Sequence, residues 1–336
     1  MGQALAIVVI GASAGGVDAI RSLAAALPAD FPAAVFVVLH IGAHRSELPW
    51  LLNQAGPLPA CHPADGDPIH PGRIYVAPPD HHLLVEPGRV RLSRGPRENW
   101  ARPAVDPLFR SAALAYGPDV TGVILTGGLN DGTAGLLEVD RRGGTTIVQD
   151  PDDAADPGMP RSALRHVAVD HCVPLHEIPA LLASLVGKGR SEPFIGGAQP
   201  TAPEARSGAT MTEYRFDDPV AVTCPDCGGA LARDEVGTLT RFSCHIGHVY
   251  TADVMVAAQF EALEWSLAAA MRSLNERGEL CRQMADKAEL AGDGGCARQW
   301  REATREAKER TGVLRDLLER EWTHPSDAEM LVSSSG

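Results

Sequence analysis

Continuous apolar runs that alternate with amphipathic stretches constrain the fold of residues 1–187 more than any other feature. Four runs rich in β-branched residues and bounded by Gly or Pro lie at 5–11, 33–40, 120–127 and 144–149. Strands that are buried on both faces are continuously apolar. The stretches at 17–27, 46–55, 106–117 and 131–144 have helical spacing. Strands that alternate with helices predict parallel βαβ units, and therefore an α/β fold with a doubly wound, mostly parallel sheet.

Residues 73–92 interrupt this alternation, and the chain after residue 187 has a different composition. Three short apolar pieces within 73–92 are separated by PPD and EPG, which predicts a β-hairpin insertion. Gly, Pro, Ala and Ser dominate residues 188–218, so we expect a flexible linker there. The remainder divides into a Cys/His segment at 219–250, an antiparallel helical hairpin at 251–323 and a disordered tail at 324–336.

Charge and hydropathy exclude two classes of protein. The 336 residues include 30 Lys and Arg against 43 Asp and Glu, a net charge of -13, which argues against a nucleic-acid binder. No apolar run reaches the roughly 20 residues that span a bilayer, and the first residues lack a basic segment and a cleavage site. Seven cysteines, an odd number, argue against a disulfide framework. We therefore expect a cytoplasmic protein without membrane insertion.

A serine lies in the glycine-rich turn that follows the first predicted strand, GASAGG at 11–16. A nucleophilic serine needs a sharp turn at the carboxyl end of a strand, small neighbours, and a helix whose N–H groups face developing negative charge. Ser13 meets these conditions. Two other interpretations stay open: a phosphate-binding turn, although Ser13 replaces the middle glycine of G-x-G-x-x-G, and a merely structural tight turn.

A histidine and an aspartate follow two further predicted strands. His40 ends the second strand, and Asp131 follows the strand at 120–127 and opens a helix. Singly, His40 is explained as a core histidine and Asp131 as a helix N-cap. Jointly with Ser13 they form an acyl-transfer triad, in which His40 takes the serine proton and Asp131 orients the imidazole. The chain order Ser–His–Asp differs from the Ser–Asp–His order of α/β-hydrolases.

Six segments within 5–187 occur in the order found in a known family. They are IGASAGG (10–16), VVLH (37–40), GRIYVAPPDHHLLV (72–85), RPAVDPLFRSAA (102–113), LTGGLNDGTAGL (125–136) and VQDPDDAADPGMPRSAL (148–164). The chain resembles the catalytic domain of the CheB family of protein-glutamate methylesterases. The resemblance implies a catalytic domain at 1–187 that acts in chemotaxis signal transduction without a cofactor. It also places the triad on Ser13, His40 and Asp131.

The sequence departs from that family at the start of the chain and in two loops. The family usually begins with a phosphorylatable receiver domain, and there is no room for one before residue 5, so we expect control by a separate regulator protein. Ala14 stands where the family often has threonine, and Gly128 where it has methionine. The backbone N–H groups of Ala14 and Gly128 are the predicted oxyanion hole.

The Cys/His segment has the spacing of a zinc-ribbon-like site. Cys224 and Cys227 form one pair, and Cys244 and His248 form the second, with His245 as the alternate ligand. The competing interpretation is a fortuitous cluster or a redox pair. No open catalytic position is indicated, so the expected zinc is structural. Residues 219–336 carry 13 basic and 19 acidic residues, which favours protein contacts over DNA.

These observations predict a serine esterase. Its expected reaction is hydrolysis of glutamate γ-methyl esters on methyl-accepting chemotaxis receptors, with release of methanol and, in some cases, deamidation of glutamines. The alternative is a non-catalytic adaptor of a chemosensory system, which binds partners through its zinc and helical segments.

Overall fold

The structure is a computed structural model that describes residues 5–40, 46–186 and 219–320. The first sheet is built from β1 (Ala6–Ala12), β2 (Ala33–Leu39), β3 (Ala60–Cys61), β4 (Arg73–Val76), β7 (Val120–Ile124), β8 (Thr145–Gln149) and β9 (His171–Val173). Its strand order is β3-β4-β2-β1-β7-β8-β9, and every pair is parallel. The predicted α/β fold with a doubly wound parallel sheet is confirmed.

Helices cover both faces of this sheet, which is why its strands are continuously apolar. The helices are α1 (Gly16–Ala26), α2 (Leu48–Ala55), α3 (Val105–Tyr116), α4 (Thr133–Arg141), α5 (Gly158–His166) and α6 (Ile178–Val186). Side chains of β1 alternate between two buried cores: Ile7 and Val9 pack in one, and Val8 and Ile10 in the other.

The segment predicted as a hairpin insertion divides between two sheets. Its first apolar piece is β4, which pairs in parallel with β2 in the main sheet, so the prediction was wrong for these residues. Tyr75 is buried there and stacks on Phe36, with ring centroids 5.0 Å apart. The other two pieces, β5 (His82–Glu86) and β6 (Arg89–Ser93), form the expected antiparallel hairpin.

The Cys/His segment forms a second, antiparallel sheet of four strands. They are β10 (Pro219–Thr223), β11 (Ala230–Val236), β12 (Leu239–Cys244) and β13 (Val249–Thr251), paired in that order. The backbone of 97–99 lies beside the outer strand β13, through a parallel bridge between Glu98 and Val249. We call residues 219–251 the ribbon.

Two long helices follow the ribbon, α7 (Ala252–Leu290) and α8 (Gly294–Leu318). They run antiparallel, with Gly278 close to Ala307 and an ion pair between Glu289 and Arg301. The chain divides into two compact units, 1–256 and 257–336, so the ribbon and the first residues of α7 belong with the parallel sheet. Within the described ranges, no helix combines the length and apolarity needed to cross a membrane. The predicted linker at 188–218 and tail at 324–336 lie outside the described residues.

Candidate active site

Ser13 lies at the centre of the carboxyl edge of the parallel sheet. It follows β1, whose neighbours are β2 on one side and β7 on the other. The Ser13 N–H donates to the Thr126 carbonyl at 2.9 Å, and the His40 N–H donates to the Ala12 carbonyl at 3.3 Å. Since Ala12 and Leu39 are partners in the parallel register, Ser13 and His40 leave the sheet side by side. Ser13 is partly exposed, so a substrate can reach its hydroxyl.

His40 and Asp131 form a direct hydrogen bond although they are 91 positions apart. His40 Nε2 lies 2.7 Å from Asp131 Oδ2. With Nε2–H donated to the carboxylate, Nδ1 is the imidazole nitrogen that can accept a proton. The aspartate is buried and the imidazole is partly exposed, so the pair connects the interior of the domain with the open end of the sheet.

Four donors surround the Asp131 carboxylate. Oδ2 accepts from His40 and from the Val105 N–H at 2.6 Å. Oδ1 accepts from Asn99 Nδ2 at 2.8 Å and from the Asp106 N–H at 3.3 Å. Burial by itself would raise the pKa of Asp131, but the hydrogen bond and charge of His40, with the Val105 N–H and the Asn99 amide, hold that pKa below its usual value. Asp131 therefore stays ionised, at the N-terminus of α3.

A second buried carboxyl group, Asp106, lies beside the first. Burial raises the pKa of Asp106 to about 7, and the negative charge of Asp131 adds to that effect. Asp106 accepts hydrogen bonds from Asn99 Nδ2 at 2.7 Å and from the Gly135 N–H at 2.7 Å. Asn99 therefore donates one amide hydrogen to each carboxyl group and separates them.

One predicted oxyanion donor, Ala14, directly follows Ser13, and the other, Gly128, lies in the loop after β7. Ala14 is exposed and Gly128 is partly exposed. Among the described residues, neither backbone N–H has a hydrogen-bond acceptor, whereas the neighbouring Gly127 N–H donates to the Asp156 carbonyl at 2.9 Å. Both groups are thus free to donate to a ligand oxygen. Leu129, the next residue, has a positive φ of 60° and is exposed at the rim.

Asn99 and Thr251 contact this network, and sequence reasoning missed both. Asn99 is a single polar residue in a loop without a motif. The Thr251 N–H donates to Asn99 Oδ1 at 3.1 Å, across 152 positions of the chain. The one local signal is that Asn is among the few residues that tolerate a positive φ, which is 48° at Asn99. That signal says nothing about its partners.

The four predicted metal ligands converge in the ribbon. The ligand atoms of Cys224, Cys227, Cys244 and His248 all lie within 4.8 Å of one another, and among the described residues the alternate His245 is not part of this group. Cys227 Sγ is 3.7 Å from Cys244 Sγ, and His248 Nδ1 is 3.6 Å and 3.4 Å from the sulfurs of Cys224 and Cys244. A Zn–S bond of about 2.3 Å in a tetrahedron gives ligand separations of about 3.8 Å. The donor set therefore fits zinc.

The parallel-sheet part of the chain is similar to known proteins. The family model CheB methylesterase matches residues 8–182. A putative protein-glutamate methylesterase/protein-glutamine glutaminase of Leptospira interrogans is 39% identical over 181 residues, which are 53% of this chain and 93% of that protein. Protein-glutamate methylesterase/protein-glutamine glutaminase 2 of Anaeromyxobacter dehalogenans is 42% identical over 180 residues, 53% of each chain. The matched part thus spans about half the length of this second relative.

A solved structure agrees with these matches. The crystal structure of the Thermotoga maritima CheB methylesterase catalytic domain aligns with a TM-score of 0.52 and 36% sequence identity. The alignment covers 54% of this chain and 99% of that one. The sequence and structure comparisons therefore identify the same part of the molecule.

Proposed function

The chain belongs to the CheB methylesterase family, and from this premise we propose that it is a protein-glutamate methylesterase that acts on methyl-accepting chemotaxis receptors. It hydrolyses glutamate γ-methyl esters and releases methanol. The observation that carries the proposal is the hydrogen bond between His40 and Asp131 at the sheet edge where Ser13 follows the central strand.

The proposed chemistry is acyl transfer through Ser13. Its oxygen attacks the ester carbonyl while His40 Nδ1 takes the hydroxyl proton, and the new charge on the carbonyl oxygen is held by the N–H groups of Ala14 and Gly128. His40 then returns the proton to the methoxy group, which leaves as methanol. Asp131 keeps the imidazole oriented and stabilises its charged form.

Water completes the reaction by the same steps in reverse. It attacks the acyl-serine, its proton goes to His40, and the Ser13 oxygen leaves with that proton. The products are a glutamate side chain and the free enzyme. A glutamine substrate would form the same acyl-serine with release of ammonia, which is why the glutaminase activity in the names of the relatives needs no further residues.

We also propose that Cys224, Cys227, Cys244 and His248 hold a structural zinc ion. All four positions are taken by protein side chains, so no ligand position remains for substrate. The ion would stabilise the ribbon, which is too short to form a large core of its own. No step of the proposed ester hydrolysis takes place on the ion.

We further propose that the protein acts in the cytoplasm. Its proposed partners there are a methylated receptor and a separate regulator protein, which fit the family and the acidic composition. Nucleic acid is not expected as a partner, because a net charge of -13 repels phosphates.

Methanol release tests the proposed activity. Receptors methylated beforehand by a matching methyltransferase are incubated with the wild type or with Ser13→Ala. We expect release by the wild type and none above background by the variant. A fluorophosphonate probe should label the wild type and not Ser13→Ala. A folded wild type that binds receptor but neither releases methanol nor reacts with the probe would contradict the proposal and support the adaptor.

A further inference from the structure

The ribbon contacts the loop that precedes α3 through its outer strand. The Asn99 N–H donates to the Val249 carbonyl at 2.7 Å, and the Val249 N–H donates to the Arg97 carbonyl at 3.2 Å. These are backbone bonds of the type that joins strands, so residues 97–99 extend the ribbon sheet beyond β13. The family match ends at residue 182, and β13 therefore lies outside it.

The side chain of Asn99 connects β13 to the candidate triad. Its oxygen accepts from the Thr251 N–H at 3.1 Å, and its nitrogen donates to Asp131 at 2.8 Å and to Asp106 at 2.7 Å. The amide is buried, and both of its hydrogens are used. A shift of β13 therefore moves the amide that holds the Asp131 carboxylate.

A second connection reaches the residue before Asp131. The Thr251 hydroxyl donates to Asn130 Oδ1 at 2.6 Å, and Asn130 Nδ2 donates to Asp253 Oδ2 at 2.9 Å. Asn130 is 1% exposed and Thr251 is 2% exposed, so water cannot replace these bonds. Both polar groups of the Asn130 side chain are thus bound by residues 251–253.

The predicted metal site contacts β13 through Tyr250. Tyr250, which precedes Thr251, is fully buried, and its hydroxyl donates to Asp226 at 2.8 Å. The same hydroxyl lies 3.6 Å from Cys224 Sγ, and His248 precedes β13 directly. The cluster that would hold the metal therefore determines where β13 lies.

We propose that β13 is part of the esterase, with Asn99 and Thr251 as positioning residues that hold the loop of Asp131, so that metal occupancy of the ribbon sets the turnover rate. The inference rests on the proposed function and deepens it. Catalysis requires the imidazole in one orientation, and small displacements of the carboxylate that supports it lower the rate strongly. Loss of the metal frees β13, which in turn frees Asn99 and Asn130.

Threonine variants test the connection. Thr251→Val removes the hydroxyl donor and keeps the backbone N–H and the side-chain shape, whereas Thr251→Ser restores the donor. We expect kcat to fall about tenfold in Thr251→Val with KM unchanged, and to recover to within about threefold of the wild type in Thr251→Ser. Thr240→Val is the matched control, because the half-buried Thr240 hydroxyl of the same sheet donates, among the described residues, to Glu235 alone. Equal kcat in Thr251→Val and the wild type would overturn the proposed role of Thr251.

An Asn99 variant tests the central amide. Asn99→Gly tolerates the positive φ and removes the bonds to Asp131, Asp106 and Thr251. We expect at least a hundredfold loss of kcat, while the protein keeps its metal as measured by elemental analysis. Full activity of a folded Asn99→Gly protein would overturn the role of Asn99.

Metal removal tests whether the metal in the ribbon sets the turnover rate. Hydrogen exchange provides a measurement other than activity. The full chain is stripped with a chelator and reloaded with zinc, and backbone hydrogen exchange is followed at 97–106 and 126–131. We expect faster exchange in both segments and loss of kcat, each reversed by zinc. Cys244→Ser should resemble the stripped protein, whereas Cys296→Ser, outside the cluster, should resemble the wild type.

The outcomes separate the two proposals. A wild type that releases no methanol removes the proposed function, while exchange at 97–106 and 126–131 still reports whether the ribbon holds these segments. A wild type that releases methanol equally well with and without metal, and shows unchanged exchange, overturns the inference and leaves the esterase intact.

Discussion

Four hydrogen bonds to one buried carboxylate decide the chemistry of Asp131. Two come from backbone N–H groups at the start of α3, one from His40 and one from Asn99. Because a donor occupies every lone-pair direction, the Asp131 carboxylate stays ionised although it is buried. The same arrangement makes the histidine tautomer definite, since a carboxylate can only accept.

An Asp131→Asn variant tests that role. The amide offers a donor where the carboxylate only accepted, so His40 adopts the wrong tautomer and Nδ1 no longer accepts the Ser13 proton. We expect kcat for methanol release to fall by about 10³–10⁴-fold with little change in KM. Steady-state kinetics check this, and a loss confined to KM would contradict the assignment.

The raised pKa of Asp106 predicts a pH dependence of stability. The folded chain keeps a proton on Asp106 up to about pH 7, whereas the unfolded chain releases it near pH 3.8. The stabilisation is complete below about pH 4 and is lost as the pH rises to about 7, by about 1.4 kcal/mol per pH unit, after which it levels off.

Urea unfolding of the wild type and of Asp106→Asn isolates this contribution, because asparagine does not titrate. The free energy of unfolding of the wild type should fall relative to the variant between pH 5 and 7 and run parallel above pH 7.5. A constant difference across this range would show that Asp106 is ionised throughout in the folded state.

At the scale of elements, the loops after β1 and β7 pack so closely that only glycine fits at one position. A Cβ built on Gly127 would lie 2.3 Å from Met159 Sδ and 2.8 Å from Ser13 Cβ. The Met159 side chain can move, but Ser13 is tied by its backbone N–H to Thr126. The glycine is therefore required by the position of the candidate nucleophile.

Gly127→Ala should displace Ser13 and lower kcat about a hundredfold. Gly312→Ala in α8 is the matched control, because its new methyl group would meet no heavy atom within 4 Å in the described part of the chain, apart from the backbone of its own helix. Methanol release measured on both variants checks the prediction. Equal activity in the two would show that the loop accommodates the added methyl group.

At the scale of the whole molecule, the ribbon belongs to the same compact unit as the parallel sheet. Besides the contacts of β13, the turn between β11 and β12 of the ribbon packs on α4 and α5. A Cβ on Gly237 would lie 2.7 Å from Leu137 of α4, and His166 of α5 lies 2.6 Å from the Thr238 hydroxyl. Unfolding of the ribbon therefore exposes surface of the catalytic domain.

Calorimetry of the full chain should show the two compact units as separate transitions. We expect one transition for residues 1–256 and a separate one for 257–336, and a chelator should lower the Tm of the first, because bound metal stabilises only the folded ribbon. Zinc added back should restore it. An unchanged Tm of the first transition would contradict coupling between the ribbon and the sheet.

The sequence alone determined the parallel α/β architecture and the three candidate catalytic positions. The reason is local: continuous apolar runs mark buried strands, and the residues that follow parallel strands meet at one edge of the sheet. The spacing of three cysteines and a histidine likewise predicted four candidate metal ligands, whose ligand atoms lie within 4.8 Å of one another, since two tight turns supply two of these residues each. For such residues, the distance along the chain to the nearest strand end or turn is short.

Only the tertiary structure decided which groups surround those residues. Asn99 and Thr251 are polar residues without a motif, and their bond joins positions 152 apart. The protonation of Asp106 depends on burial and on the charge of Asp131, neither of which follows from its place in the sequence. The placement of Arg73–Val76 in the main sheet depended on a partner strand, β2, far away along the chain. Hydrogen bonds, burial and charge between distant residues arise from packing, and packing is a property of the whole unit.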